Sequence, residues 1–163
     1  MTETTDENTI ESYDGGVEDF DLAEDYQPIP LIAEGYYNAA VTDVKFNSED
    51  KTIDWSFTLN DNGGVMSDGE TPIDGSVHVY RNWLPKPGDE VERTKKGTQT
   101  KRQAKINMLH DFAEVMKITM TTPKQILEAI ANSDWIGIEA QAKMEIRTWQ
   151  GRTFNNIARV AAS

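Results

Sequence analysis

A chain of 163 residues with 28 Asp or Glu, 16 Lys or Arg and no cysteine has room for one ordinary domain with its own core, and too little for two generous ones. The missing thiols exclude disulfide staples, thiolate metal sites and cysteine nucleophiles, and with them the usual extracellular disulfide scaffold. No run nears the ~18 apolar residues of a membrane span, and the opening MTETTDENTIESYDGG is the reverse of a cationic signal peptide, so a cytoplasmic protein with no membrane contact is expected.

The acidity is local. Residues 1–27 carry ten of the 28 acidic residues and no Lys or Arg, which leaves 18 acidic against 16 basic residues in 28–163. The chain therefore divides into an acidic arm, 1–27, expected to be disordered because it is too polar and self-repelling to collapse alone, and a nearly neutral domain, 28–163. Tyr13, Val17, Phe20, Leu22 and Tyr26 are scattered among the arm's carboxylates, a pattern of segments that dock on basic or apolar grooves.

Beyond Pro28 the pattern changes. GYYNAAVTDVKF (35–46), rich in Tyr and Val, predicts a first strand. TIDWSFTLN (52–60) alternates strictly, Ile53, Trp55, Phe57 and Leu59 against Asp54, Ser56 and Thr58, as a half-buried strand does; Trp55 and Phe57 are expected in the core. The Gly, Asp and Pro content of 61–75 predicts a loop, whose Asp61, Asp68, Glu70 and Asp74 read as turn formers because their spacing misses the calcium-loop pattern. GSVHVYRNW (75–83) is a third strand, with Val77, Val79 and Arg81 on one side and His78, Tyr80 and Asn82 on the other, and PKPGD (85–89) ends it.

Six cations follow without an acid between Arg93 and Lys105: Arg93, Lys95, Lys96, Lys101, Arg102 and Lys105. Ile106, Leu109, Phe112, Ala113 and Met116 then recur at three- and four-residue spacing and predict an amphipathic helix over about 101–117. Thr122 and Pro123, a cap and a first-turn proline, open a second helix with Ile126, Leu127 and Ile130 on its apolar side. WIGIEAQAKMEIRTW (135–149) alternates again, Trp135 is expected to pack inside, and Gln150–Gly151 turns the chain into RTFNNIARV (152–160). The order is three strands, two helices, two strands: mainly β with a helical insert.

That order is what a five-stranded Greek-key barrel of the OB type needs. The combination of IAEGYYNAAVTDVKF, NWLPKPGD, KINMLHDF, TTPKQILEAI and WQGRTFNNIARV resembles small phage-encoded OB-type proteins grouped with the single-stranded-DNA-binding proteins that assist replication or recombination. The resemblance spans about residues 29–160. Acidic tails in such proteins usually lie at the carboxyl end, whereas here the acidic arm leads the chain.

On this reading the basic run follows a phosphate backbone, helped by the N–H groups at a helix start, while flat rings on the strands stack bases. Arg81, Lys95, Lys96, Lys101, Arg102, Lys105, Arg147 and Arg152 are the expected phosphate contacts, and Tyr80, Trp83, Trp149 and Phe154 the stacking rings. The competing reading of the run is a solvated loop. The expected partner is single-stranded DNA; the acidic arm is expected either to imitate the polyanion and compete for the same groove or to recruit replication or recombination proteins, and homo-oligomerisation is left open. His78 and His110 stand alone, and neither a phosphate loop nor GxGxxG occurs, so no catalytic residue, metal or cofactor is expected. The alternative from a different class is a phage virion decoration protein that uses the barrel for assembly.

Overall fold

The computed structural model describes residues 15–163; the expectation of disorder for residues 1–14 lies outside them. Five strands, β1 (Gly35–Asn47), β2 (Thr52–Asn60), β3 (Val77–Trp83), β4 (Glu139–Trp149) and β5 (Arg152–Ala162), form one antiparallel sheet in the order β3-β2-β1-β4-β5. A one-turn helix, α1 (Leu22–Asp25), precedes the sheet, and α2 (Lys101–Met116) and α3 (Pro123–Ala131) are inserted between β3 and β4. This is the expected OB-like arrangement, left open between β3 and β5, whose edges face one another across a cleft of about 350 Å3 lined by Val79, Arg81, Asn156 and Ile157.

Alternation decides what is buried. Every second residue of β2, from Ile53 to Leu59, is at most 1% exposed, and a period of two can put them there only if one sheet face is interior. β1 contributes Ala39, Val41 and Val44, the last after a register shift between Val41 and Asp43; β4 contributes Ala140, Ala142 and Met144. The insert closes the core. Phe112 of α2 lies against Trp55 (ring centres 5.0 Å apart) and stacks on Tyr80 (5.6 Å, 13°), and Trp135 also stacks on Trp55 (5.2 Å, 22°). The indole N–H of Trp55 donates to Asn82 Oδ1 at 2.7 Å, which satisfies two buried polar groups together.

Helix ends follow their caps. The hydroxyls of Thr100 and Thr122 accept from the N–H groups of Gln103 and Gln125, and Pro123 takes the first turn of α3. Lys117 closes α2 in a left-handed conformation, its N–H donating to Glu114 O while that of Ile118 donates to Ala113 O.

Two expectations are corrected. The fourth strand does not start at Trp135: residues 132–137 are turns, and β4 begins at Glu139. Ser133 and Gly137 have φ of 58° and 92°, values a strand does not allow, and Gly137 N–H is taken by Val41 O. The arm, expected to lack structure over 1–27, contains α1, whose start is capped by Asp21 Oδ1 accepting from Ala23 and Glu24 N–H. Among its described residues, Val17, Phe20, Leu22 and Tyr26 nevertheless remain exposed. Leu31 and Ile32 are fixed to the barrel: Ile32 exchanges two hydrogen bonds with the Asn155 amide (2.7 and 2.9 Å), and Leu31 N–H donates to Ser67 Oγ.

Asp89, 3% exposed, accepts from Lys105 Nζ at 2.6 Å and from Lys86 N–H at 3.0 Å. These two bonds, the lysine first, hold its carboxyl below the ordinary value of 3.8. A depressed folded-state pKa means that the unfolded chain binds more protons. The stability Asp89 adds is thus complete above the ordinary value and is lost as pH falls through the lower folded one. Denaturant titrations of wild type and Asp89→Asn should differ clearly at pH 7, and the gap should narrow progressively as pH falls below the ordinary carboxyl value; a gap that does not change with pH would show that the carboxylate charge is not what matters.

Candidate nucleic-acid interface

The β4–β5 hairpin gathers four of the twelve expected contacts, Arg147, Trp149, Arg152 and Phe154, on one surface. Its turn is Gln150–Gly151, with φ of 50° and 75°, the two left-handed residues that match strand twist in a two-residue hairpin. Residues directly opposite across a ladder share a face. The register pairs Trp149 with Arg152, Arg147 with Phe154, Glu145 with Asn156 and Lys143 with Arg159, and the core-facing side is held by Met144 opposite Ile157 and Ala142 opposite Val160. The outer side therefore presents Trp149, 65% exposed, and Phe154, 39% exposed, among four cations. Its one carboxylate among these pairs, Glu145, lies 3.6 Å from Arg147 Nη1 and accepts from Asn156 Nδ2. β1 extends the surface, because Tyr36 sits opposite Lys143, whose Nζ is 5.9 Å from the ring centre, within cation–π range.

Tyr36, Lys143 and Arg159 were not singled out in the sequence. Lys143 was legible, since it shares parity with Arg147 and Trp149 along β4. Arg159 was not: counting in twos from Phe154 turns it inward, and only the register shift opposite Lys143 and Met144 brings it to the outer face.

The basic run has a different structure from the expected phosphate-tracking loop. Arg93 and Thr100 bridge, Thr94 N–H donates to Gln99 O, and Arg93 Nε donates to Gly97 O, so residues 93–100 form a small hairpin with Lys95 and Lys96 exposed on it. Lys101 is paired with Glu92 at 2.6 Å, and Lys105 with buried Asp89. The run is free of acids in sequence, but folding returns Glu92 and Asp89 to it. Lys105 thereby serves the fold, whereas Arg102 stays exposed without a carboxylate partner among the described residues.

On β3 the expected alternation holds. Tyr80 points inward, half-buried with Phe112 stacked on its ring, and burial pushes its phenol above the usual value; it also lines the cleft between β3 and β5. Arg81, paired with Asp54 at 3.2 Å, and Trp83, 48% exposed, face out. Trp83 lies opposite Thr52, beside the β1–β2 turn, whereas Trp149 is at a hairpin tip beyond the other end of β1. The two tryptophans do not share a site.

The loop carboxylates are bound up in turns. Asp74 accepts from Asp61 and Gly63 N–H, and Asp68 from Glu70 N–H, Thr71 N–H and the Thr71 hydroxyl; these bonds lower both carboxyls below their ordinary value. His78 is half-buried near Ser76 Oγ, and His110 lies exposed beside Asp111 and Glu114. Among the described residues no helix is long and apolar enough to cross a membrane. No protein-family model matches the chain, and no curated protein is significantly similar to it.

Proposed function

We propose that this protein binds single-stranded DNA with little sequence preference, in a phage replication or recombination setting, through the outer face of the β4–β5 hairpin. The observation that carries this reading is the register that sets exposed Trp149 and Phe154 among Lys143, Arg147, Arg152 and Arg159. Every base has a π-face and every nucleotide a phosphate, so rings alternating with cations bind a strand without reading it. Arg147, Arg152, Lys143 and Arg159 neutralise phosphates; Trp149, Phe154 and Tyr36 stack. Lys95 and Lys96 add a second contact, and Arg81 with Trp83 belongs to a separate patch. The site needs no cofactor.

Salt dependence tests the assignment. Each phosphate of a single strand that the protein neutralises, releasing its counterions, contributes about 0.7 to the slope of log K against log[salt]. Arg147→Ala with Arg152→Ala should flatten the slope by roughly twice that, measured by anisotropy of a labelled mixed-sequence oligonucleotide at several salt concentrations. Lys101→Ala, whose charge Glu92 already pairs, should leave it nearly unchanged. Were Lys95 and Lys96 to control the slope and the hairpin arginines not, the DNA would run over the 93–100 hairpin instead.

A further inference from the structure

At the opposite end of the barrel from the fixed Ile32, a groove of about 920 Å3 lies between α2, α3 and the 118–122 segment that joins them, with Phe46, Lys51 and Leu84 closing one side. Its wall is apolar, from half-buried Ile106 and Leu109 on α2 to Leu127 on α3, which is 42% exposed. Lys51, Arg102 and Lys117 stand on the rim against a single carboxylate, Glu114, and among the described residues none of the three is paired with an acid. An apolar wall under unpaired cations selects an acidic segment that carries large apolar side chains.

The chain contains such a segment. Residues 15–27 include five carboxylates and no Lys or Arg, and Leu22 and Tyr26, one turn apart on either end of α1, are 76% and 73% exposed. Reach bears on whose groove they enter. Ile32 is fixed near Gly35, and from there to Phe46 the strand covers roughly 36 Å at ~3.3 Å per residue. Tyr26 is six residues before Ile32, at most ~22 Å of extended chain. α1 adds only ~1.5 Å per residue, which puts Leu22 within ~28 Å. In the structure neither side chain lines the groove of its own chain, and both are left exposed.

We infer that the arm of one copy docks Leu22 and Tyr26 in the α2–α3 groove of a second copy. Arm and groove are different patches, so the contact is heterologous and propagates head to tail. On the single-strand reading above it joins neighbours along one strand, but the contact itself does not rest on that reading, and its test uses no DNA.

Sedimentation velocity of the full chain across a concentration series should show assembly that weakens with salt. Leu22→Ser with Tyr26→Ser removes the arm's anchors, and Leu127→Asp places an acid in the groove; each variant should associate at least tenfold more weakly. An equimolar mixture of the two has one intact arm for one intact groove and should give a dimer and nothing larger. Should Leu127→Asp fail to fold by circular dichroism, Arg102→Glu with Lys117→Glu, both exposed, takes its place. A wild type that stays monomeric at every concentration, or variants that assemble as it does, would overturn the inference, as would a mixture that does not complement.

Discussion

Trp149→Ala should weaken binding of a mixed-sequence single-stranded oligonucleotide by roughly 5- to 150-fold, the range that corresponds to ~1–3 kcal/mol for a stacked base. The side chain is 65% exposed and packs little in the free protein, so its removal should leave the thermal midpoint within a degree or two. Trp149→Phe retains a ring and should recover most of the affinity. Phe154, already 39% exposed opposite Arg147, should cost less when truncated, and Trp83→Ala, on the far patch, least of all. The measurement is anisotropy at fixed low salt, with circular dichroism confirming the fold. Unchanged affinity for Trp149→Ala would remove the hairpin face as the stacking platform.

The largest stability loss is expected from Trp55→Ala, read by denaturant titration. The ring is fully buried between Phe112 and Trp135, and truncating a core aromatic costs ~3–5 kcal/mol through lost transfer energy and the cavity left behind. A second term comes from Asn82, 6% exposed, whose Oδ1 would lose the indole N–H; an orphaned buried acceptor adds about 1–3 kcal/mol. Together these approach the whole stability of an ordinary domain, so the variant should be largely unfolded at 37 °C. Trp55→Phe keeps the apolar ring and forfeits mainly the hydrogen bond, and it should lie between. A loss below about 2 kcal/mol for Trp55→Ala would mean that Phe112 and Trp135 close over the gap.

The strands were legible where burial is one-sided. Ile53, Trp55, Phe57 and Leu59 repeat every two residues because a single buried face leaves no other way to place them, and β2 runs from Thr52 to Asn60 as its alternation predicts. The cap at Thr122 made the start of α3 equally plain, and apolar spacing alone located α2, whose cap, Thr100, the structure supplies. The alternation through Trp135 and Ile136 misled, because apolar residues in a turn that packs on a core look like the first residues of a strand. Trp135 is buried as expected, yet it arrives there from a turn, stacked on Trp55.

The candidate site was legible by residue type and much less by neighbourhood. Arg147, Trp149, Arg152 and Phe154 are close in sequence and are joined by a two-residue turn, so local chemistry was enough to bring them together. Lys101 and Lys105 carried the same charge signal as Lys95 and Lys96, but a one-dimensional count of charges cannot see Glu92 and Asp89 folding back against them.

By itself the sequence determined the order of the five strands and the two inserted helices, the core face of β2, the cap at Thr122, the hairpin turn and the separation of an acidic arm from a near-neutral domain. All of these follow from interactions within a few residues, or from periodicity against a single buried side. Only the tertiary structure decided which cations are paired, that Tyr80 packs on Phe112, that Trp83 and Trp149 lie at opposite ends of the barrel, and that a bulge turns Arg159 outward beside Lys143. These depend on register and on contacts between residues distant in sequence. One residue of slip in a ladder reverses the direction of each side chain beyond it, and no local pattern specifies that slip.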